Sequence, residues 1–178
     1  MTDETDPILS QLPALRRYAL ALTRDPAEAE DLVQDALLRG HERRRSRRPG
    51  DSLRAWLMSI LRNRFLDRLR HHRARRRREG EAAAMAPLTM EAPQDAAVRL
   101  AQLRAAFMDL APEQREALTL VAIDGLSYAE AAGIAGVPAG TVMSRVARAR
   151  AQLRDFEDGR GAARPALKVV GGRDAGNP

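Results

Sequence analysis

The sequence has no cysteine, so it can form no disulfide and offers no thiolate to a metal. Aromatic residues make up only 3% of it, with one tryptophan. A core must therefore be built from Leu, Ala, Val and Ile, which favours helices. Lysine is nearly absent: Lys168 stands alone, and almost all positive charge is arginine. Arginine suits bidentate contacts to phosphate and guanine, and a GC-rich genome produces the same bias. The acidic N-terminus carries no apolar signal region, and no run approaches the roughly 20 apolar residues of a membrane span. A soluble, cytoplasmic chain without membrane insertion is expected. His41, His71 and His72 sit among arginines that repel a cation, so no metal site is expected, and no cofactor is expected either. No paired carboxylates, phosphate-binding loop or Ser/His/Asp set stands in catalytic context, which argues against an enzyme.

What is present is basic charge, unevenly spread. The 178 residues carry a formal net charge of +6 and a pI near 10.9, which points to a polyanionic partner. Between Arg39 and Arg78, sixteen arginines face three acids, Glu42, Asp51 and Asp67. A merely solvated helix mixes its signs, so this one-sided stretch reads as a nucleic-acid footprint.

The chain is organised around residues 125–150, which read as a helix-turn-helix. Ser127 precedes the first helix with Glu130 three residues on, the spacing of a capping box. Gly136 suits a tight turn, and Pro138 ends it without needing a donor. A second helix then runs to about Leu153, with Val142, Val146, Ala149 and Leu153 on one face. Met143, Ser144, Ala147, Arg148 and Ala151 lie opposite, with Thr141 and Arg145 at the flank. A narrow apolar stripe backed by small residues and arginines suits entry into a major groove. A plain helical hairpin with a solvated arginine face has the same pattern.

Elsewhere the pattern is also helical. A first helix is expected from Pro13 to Leu22, with Leu12, Leu15, Ala19 and Leu22 as its stripe. Asp25-Pro26-Ala27-Glu28 starts a second, through Leu38, with Ala29, Leu32, Val33, Ala36 and Leu37 inward. Its outer face carries Asp31, Gln34, Asp35 and Leu38, either a partner surface or a solvated acidic face with one stray leucine. A loop ending Arg47-Arg48-Pro49-Gly50-Asp51-Ser52 leads into a helix with Leu53, Trp56, Leu57, Ile60 and Leu61 on one face, Trp56 as a core anchor. Residues 79–95 contain no arginine and are broken by Pro87 and Pro93, the composition of a flexible linker. Helical pattern resumes with Val98, Leu100, Leu103 and Phe107. The helix opened by Pro112 has Leu118, Val121 and Ala122 inward, with Gly125 at its C-cap. The glycine-, arginine- and proline-rich tail 155–178 reads as disordered.

Four blocks together resemble the extracytoplasmic-function sigma factors, the small class of bacterial RNA polymerase specificity subunits. They are Ala29 to Asp35, Leu53 to Leu57 with Ile60 and Asn63, Leu110 to Arg115, and the helix-turn-helix. The resemblance covers Leu12 to Arg154. It implies an all-α chain of two small helical domains, region 2 (residues 1–78) and region 4 (residues 96–154), joined by the linker. It implies that Asp31, Gln34, Asp35 and Leu38 bind the β′ coiled coil of core polymerase. Arg48, Gly50, Asp51, Ser52 and Asn63 would belong to the part that captures the unpaired strand of the -10 element. Thr141, Ser144, Arg145 and Arg148 would belong to the reader of the -35 element. Many relatives carry a basic residue at Met143 and a larger one at Ala147, so base reading falls mainly on Ser144 and Arg148, with Arg145 on phosphate. Core polymerase, through β′ and β, promoter DNA and an anti-sigma factor are the implied partners. A helix-turn-helix regulator that never meets polymerase, and a mimic that sequesters an anti-sigma factor, are the rival readings.

Overall fold

The computed structural model describes residues 7–47, 50, 52–79 and 95–158, all in helices and their connections, with no strand among them. Three helices form the first layer: α1 (Leu12–Thr23), α2 (Pro26–Glu42) and α3 (Leu53–Glu79). Four form the second: α4 (Asp95–Asp109), α5 (Pro112–Leu118), α6 (Tyr128–Ala135) and α7 (Ala139–Glu157). The expected linker and tail lie outside the described residues, apart from helix-terminal Glu79 and Asp95 and residues 155–158.

Local chemistry sets the helix ends. Asp25 caps α2 by accepting the Glu28 amide at 2.8 Å, with Pro26 opening the helix. Ser52 Oγ accepts the Ala55 amide at 3.3 Å where α3 begins. The capping box of α6 is complete: Ser127 accepts the Glu130 amide, and the Glu130 carboxylate accepts the Ser127 amide at 2.9 Å. That carboxylate's bonds to Ser127 hold its pKa below the ordinary glutamate range. Gly136 ends α6 at φ 62, a left-handed conformation that disfavours other residues.

The stripes expected for α1, α2 and α7 are buried or half-buried, and α7 runs on to Glu157. At Gly40 the α2–α3 crossing is so close that a Cβ would fall 2.7 Å from Leu57 Cδ2. Three expectations need correction. Leu100 is exposed, on a part of α4 away from the side that meets α7. Met58, outside the expected stripe, is fully buried with Leu57 and Leu61, while Trp56 packs half-buried against the same core as expected. The cause is that α3 meets α6 as well as α1 and α2, so it is covered on a second side. Ala122 is exposed, whereas Thr119 and Leu120 are buried. Here α5 gives way to a π turn over Thr119–Ile123, closed by the Asp124 amide donating to Thr119 O. The wider turn rotates the following residues away from a 3.6-residue period.

The two layers pack directly: α1 lies on α5 and on the π turn, and α3 lies on α6. Fully buried Leu15, Leu57 and Leu61 from one layer join Leu120, Val142 and Val146 from the other in a continuous apolar cluster. Each such aliphatic side chain contributes roughly 1.5–3 kcal/mol, so apolar burial outweighs any exposed ion pair of up to about 1 kcal/mol.

Candidate polymerase and nucleic-acid interfaces

The outer face of α2 divides in two. Asp31, Gln34 and Leu38 are exposed, Leu38 at 59%. Asp35 instead turns inward, accepting from Arg64 Nε at 2.8 Å, with Arg68 at 3.6 Å. The Asp35 hydrogen bond raises the Arg64 pKa. Asp35 thus ties α2 to α3, leaving Asp31, Gln34 and Leu38 as the free face.

At the other end of α2, Arg39, Arg43, Ile60, Asn63, Arg64 and Asp67 line a cavity of about 180 Å³ against α3. It brings exposed Asn63 together with arginines from two helices. Gly50 is exposed at φ 92, and half-buried Ser52 starts α3. Arg48 and Asp51 lie outside the described residues. The groove is concave, basic and furnished with one amide, a combination suited to a phosphate and a base edge.

On α7, Val142, Val146 and Ala149 are buried against the domain, and Met143, Ala147 and Arg148 are exposed. Thr141, Ser144 and Arg145 are half-buried along the edge, and Ser144 Oγ donates to Thr141 O at 2.9 Å. Arg148 therefore points outward, whereas Arg145 runs along the flank.

Sequence reasoning gave no role to three polar residues that prove central. Arg115, 1% exposed, donates to Ala21 O, Met108 O and Leu110 O, tying α1 and the end of α4 to α5. Burial lowers its pKa. Glu116 accepts from Tyr18 Oη at 2.8 Å and from Arg62 Nε at 2.6 Å. Asp124, its side chain fully buried, pairs with Arg17, and burial raises its pKa. The available signal was weak: Asp124 ends an apolar run from Leu120 to Ile123, and Glu116 sits among polar neighbours that give it no distinguishing mark. Among the described residues, no cluster of three or more His, Cys, Asp or Glu side chains could hold a metal, and no helix is long and apolar enough to cross a membrane.

A basic groove in a three-helix layer beside a helix-turn-helix with an outward arginine defines the class: a bipartite nucleic-acid-binding protein with an unpaired acidic and apolar helix face. The matched families agree. Residues 8–75 match the model of sigma-70 region 2, and residues 100–153 that of sigma-70 region 4. The sigma factor EcfG of Rhodopseudomonas palustris is 42% identical over 150 residues, covering 83% of this chain and 81% of that protein. SigC of Mycobacterium tuberculosis is 40% identical over 141 residues, covering 78% and 75%. The sigma factor RpoE of Bartonella quintana, solved with the anti-sigma factor NepR, superimposes with a TM-score of 0.74 at 36% identity, covering 85% of this chain and 94% of that one. The protein belongs to the extracytoplasmic-function sigma factors of RNA polymerase.

Proposed function

We propose that the protein works as a promoter-specificity subunit without catalysis of its own, in the cytoplasm, through three surfaces. Asp31, Gln34 and Leu38 on α2 receive the β′ coiled coil, with Asp35 setting the α2–α3 geometry beneath them. The groove around Asn63, with Arg48, Gly50, Asp51 and Ser52 before it, holds the unpaired -10 strand. Thr141, Ser144, Arg145 and Arg148 on α7 meet the -35 duplex. Region 2 spans 1–78 and region 4 spans 96–154, with 79–95 as the linker.

The observation that carries this reading is the division of α7. A buried Val142–Val146–Ala149 stripe places exposed Arg148 opposite it, where a groove-facing guanidinium belongs. An anti-sigma factor of the kind bound by the Bartonella relative is the expected regulator. The test is run-off transcription by purified core polymerase on genomic fragments, with and without the protein. Specific transcripts that depend on its addition support the reading. Binding to DNA without core polymerase dependence overturns it in favour of a free-standing regulator.

A further inference from the structure

The turn that follows α2 holds a serine set apart by its neighbours. Ser46 comes after Arg43, Arg44 and Arg45 and before Arg47 and Arg48. No other serine or threonine in the sequence has an arginine at any of the three preceding positions. Ser46 ends a single 3₁₀ turn, Arg44–Ser46, and is exposed, as are the three arginines before it. Its amide donates to Arg43 O at 2.8 Å, and its Oγ donates to the same oxygen at 2.7 Å. The amide bond closes the turn by itself, so the hydroxyl can be substituted without opening the backbone.

Ser10 supplies an internal comparison. It lies in the 3₁₀ turn Leu9–Gln11, is exposed, and donates through Oγ to Pro7 O at 2.7 Å, also three residues back. The two serines share a local geometry and differ in charge, because Pro7, Ile8 and Leu9 stand where Ser46 has arginines. Kinases choose among exposed hydroxyls by the charge of the flanking side chains. The arginine frame of Ser46 suits a kinase with an acidic substrate groove.

The position also bears on nucleic acid. Arg39 and Arg43 line the cavity that holds Asn63, and Ser46 Oγ rests on the Arg43 carbonyl. A phosphoryl group there adds a charge of about −1.5 to −2 and three acceptor oxygens. It draws the neighbouring guanidinium groups to itself through charge-assisted hydrogen bonds and repels the phosphates of an incoming strand.

We propose that Ser46 is a phosphorylation site for a serine kinase that reads arginines N-terminal to its acceptor, and that phosphate there turns off single-strand capture by the groove. The γ-phosphoryl group of ATP passes to Ser46 Oγ. The Oγ–P bond forms and the bond from Pγ to the β,γ-bridging oxygen breaks. ADP leaves with that electron pair, and the hydroxyl proton goes to the catalytic aspartate of the kinase. The consequence for transcription rests on the sigma-factor reading, whereas the modification does not.

The test incubates the full-length protein with ATP and either the catalytic subunit of cyclic-AMP-dependent protein kinase, a probe of this specificity, or a lysate of the cells that make the protein. Mass spectrometry should place one phosphoryl group on Ser46 in both, with Ser10 unmodified and Ser46→Ala refractory. Binding of a short oligothymidylate should then lose about 1.4 from its salt slope, the share of two single-strand phosphate contacts, and weaken about 25-fold at roughly 0.1 M salt. Ser46→Asp should weaken binding in the same direction, and Ser10→Asp should leave it unchanged, which separates a local effect from a change in net charge. The phosphorylated protein should still bind core polymerase, because Asp31, Gln34 and Leu38 are untouched, and should yield fewer run-off transcripts. Labelling that misses Ser46 in either incubation overturns the site. Phosphorylated protein that binds oligothymidylate as tightly as the unmodified form overturns the switch. Failure of the unmodified protein to bind core polymerase overturns the sigma reading instead, while labelling and oligothymidylate binding still judge Ser46.

Discussion

At the scale of single residues, orientation decides role. Arg148 and Arg145 are three apart on α7, yet one is exposed and the other lies half-buried at the flank. Arg148→Ala should therefore cost about 1–3 kcal/mol and relax preference at one -35 base pair, the signature of a lost guanine contact. Arg145→Ala should weaken all sequences equally and reduce the salt slope by about 0.9. Binding to a panel of single-base -35 variants at several salt concentrations separates these outcomes. On α2 the contrast is between Asp31 and Asp35. Asp31→Arg should abolish core polymerase binding in pull-down with the melting temperature unchanged. Asp35→Ala should lower stability by up to about 1 kcal/mol in urea titration, because it breaks the pair with Arg64.

At the scale of elements, helix ends and crossings carry the fold. Gly40→Ala gains up to about 1 kcal/mol of helix propensity. Its Cβ meets Leu57, which is fully buried and has little room to yield, so repacking should cost about 1–3 kcal/mol. A net loss in denaturant midpoint is expected. The α6 capping box adds a pH dependence. Glu130 has a depressed pKa in the folded state, so its stabilisation is complete above the unfolded value near 4.5 and is lost as pH falls through the folded value. Thermal melts between pH 3 and 7 should show this acid loss, and Glu130→Gln should flatten it (roughly the carboxylate window).

At the scale of the whole molecule, the seam titrates at the opposite end. Burial, reinforced by the Glu116 carboxylate, pushes the Tyr18 phenol well above its ordinary value of 10.0. A raised folded pKa means that the stabilisation is complete below the unfolded value and is lost as pH rises past it. Compactness measured by small-angle scattering should decline above about pH 10, and Tyr18→Phe should remove that alkaline step. The two layers are thus joined by groups whose burial depends on both.

The sequence by itself determined the helices, their caps and their family. Asp25-Pro26, Ser127-xx-Glu130 and Gly136 are local signals whose partners lie within a few residues, so no tertiary knowledge is needed to read them. The α7 stripe was equally legible, because one apolar face against one domain leaves a clean period. Legibility failed where a residue's surroundings were set by distant parts of the chain or by an irregular turn. Met58 is buried because α3 is covered from two sides, and Ala122 is exposed because a π turn shifts the register. Asp35 belongs to the fold because arginines 29 and 33 residues away in sequence reach it. Tyr18 and Glu116 are 98 residues apart and Arg17 and Asp124 are 107 apart. Composition and periodicity report what one element does with its own faces. Only the tertiary structure decides which buried acid meets which distant arginine, because that pairing depends on how two separately patterned layers come together.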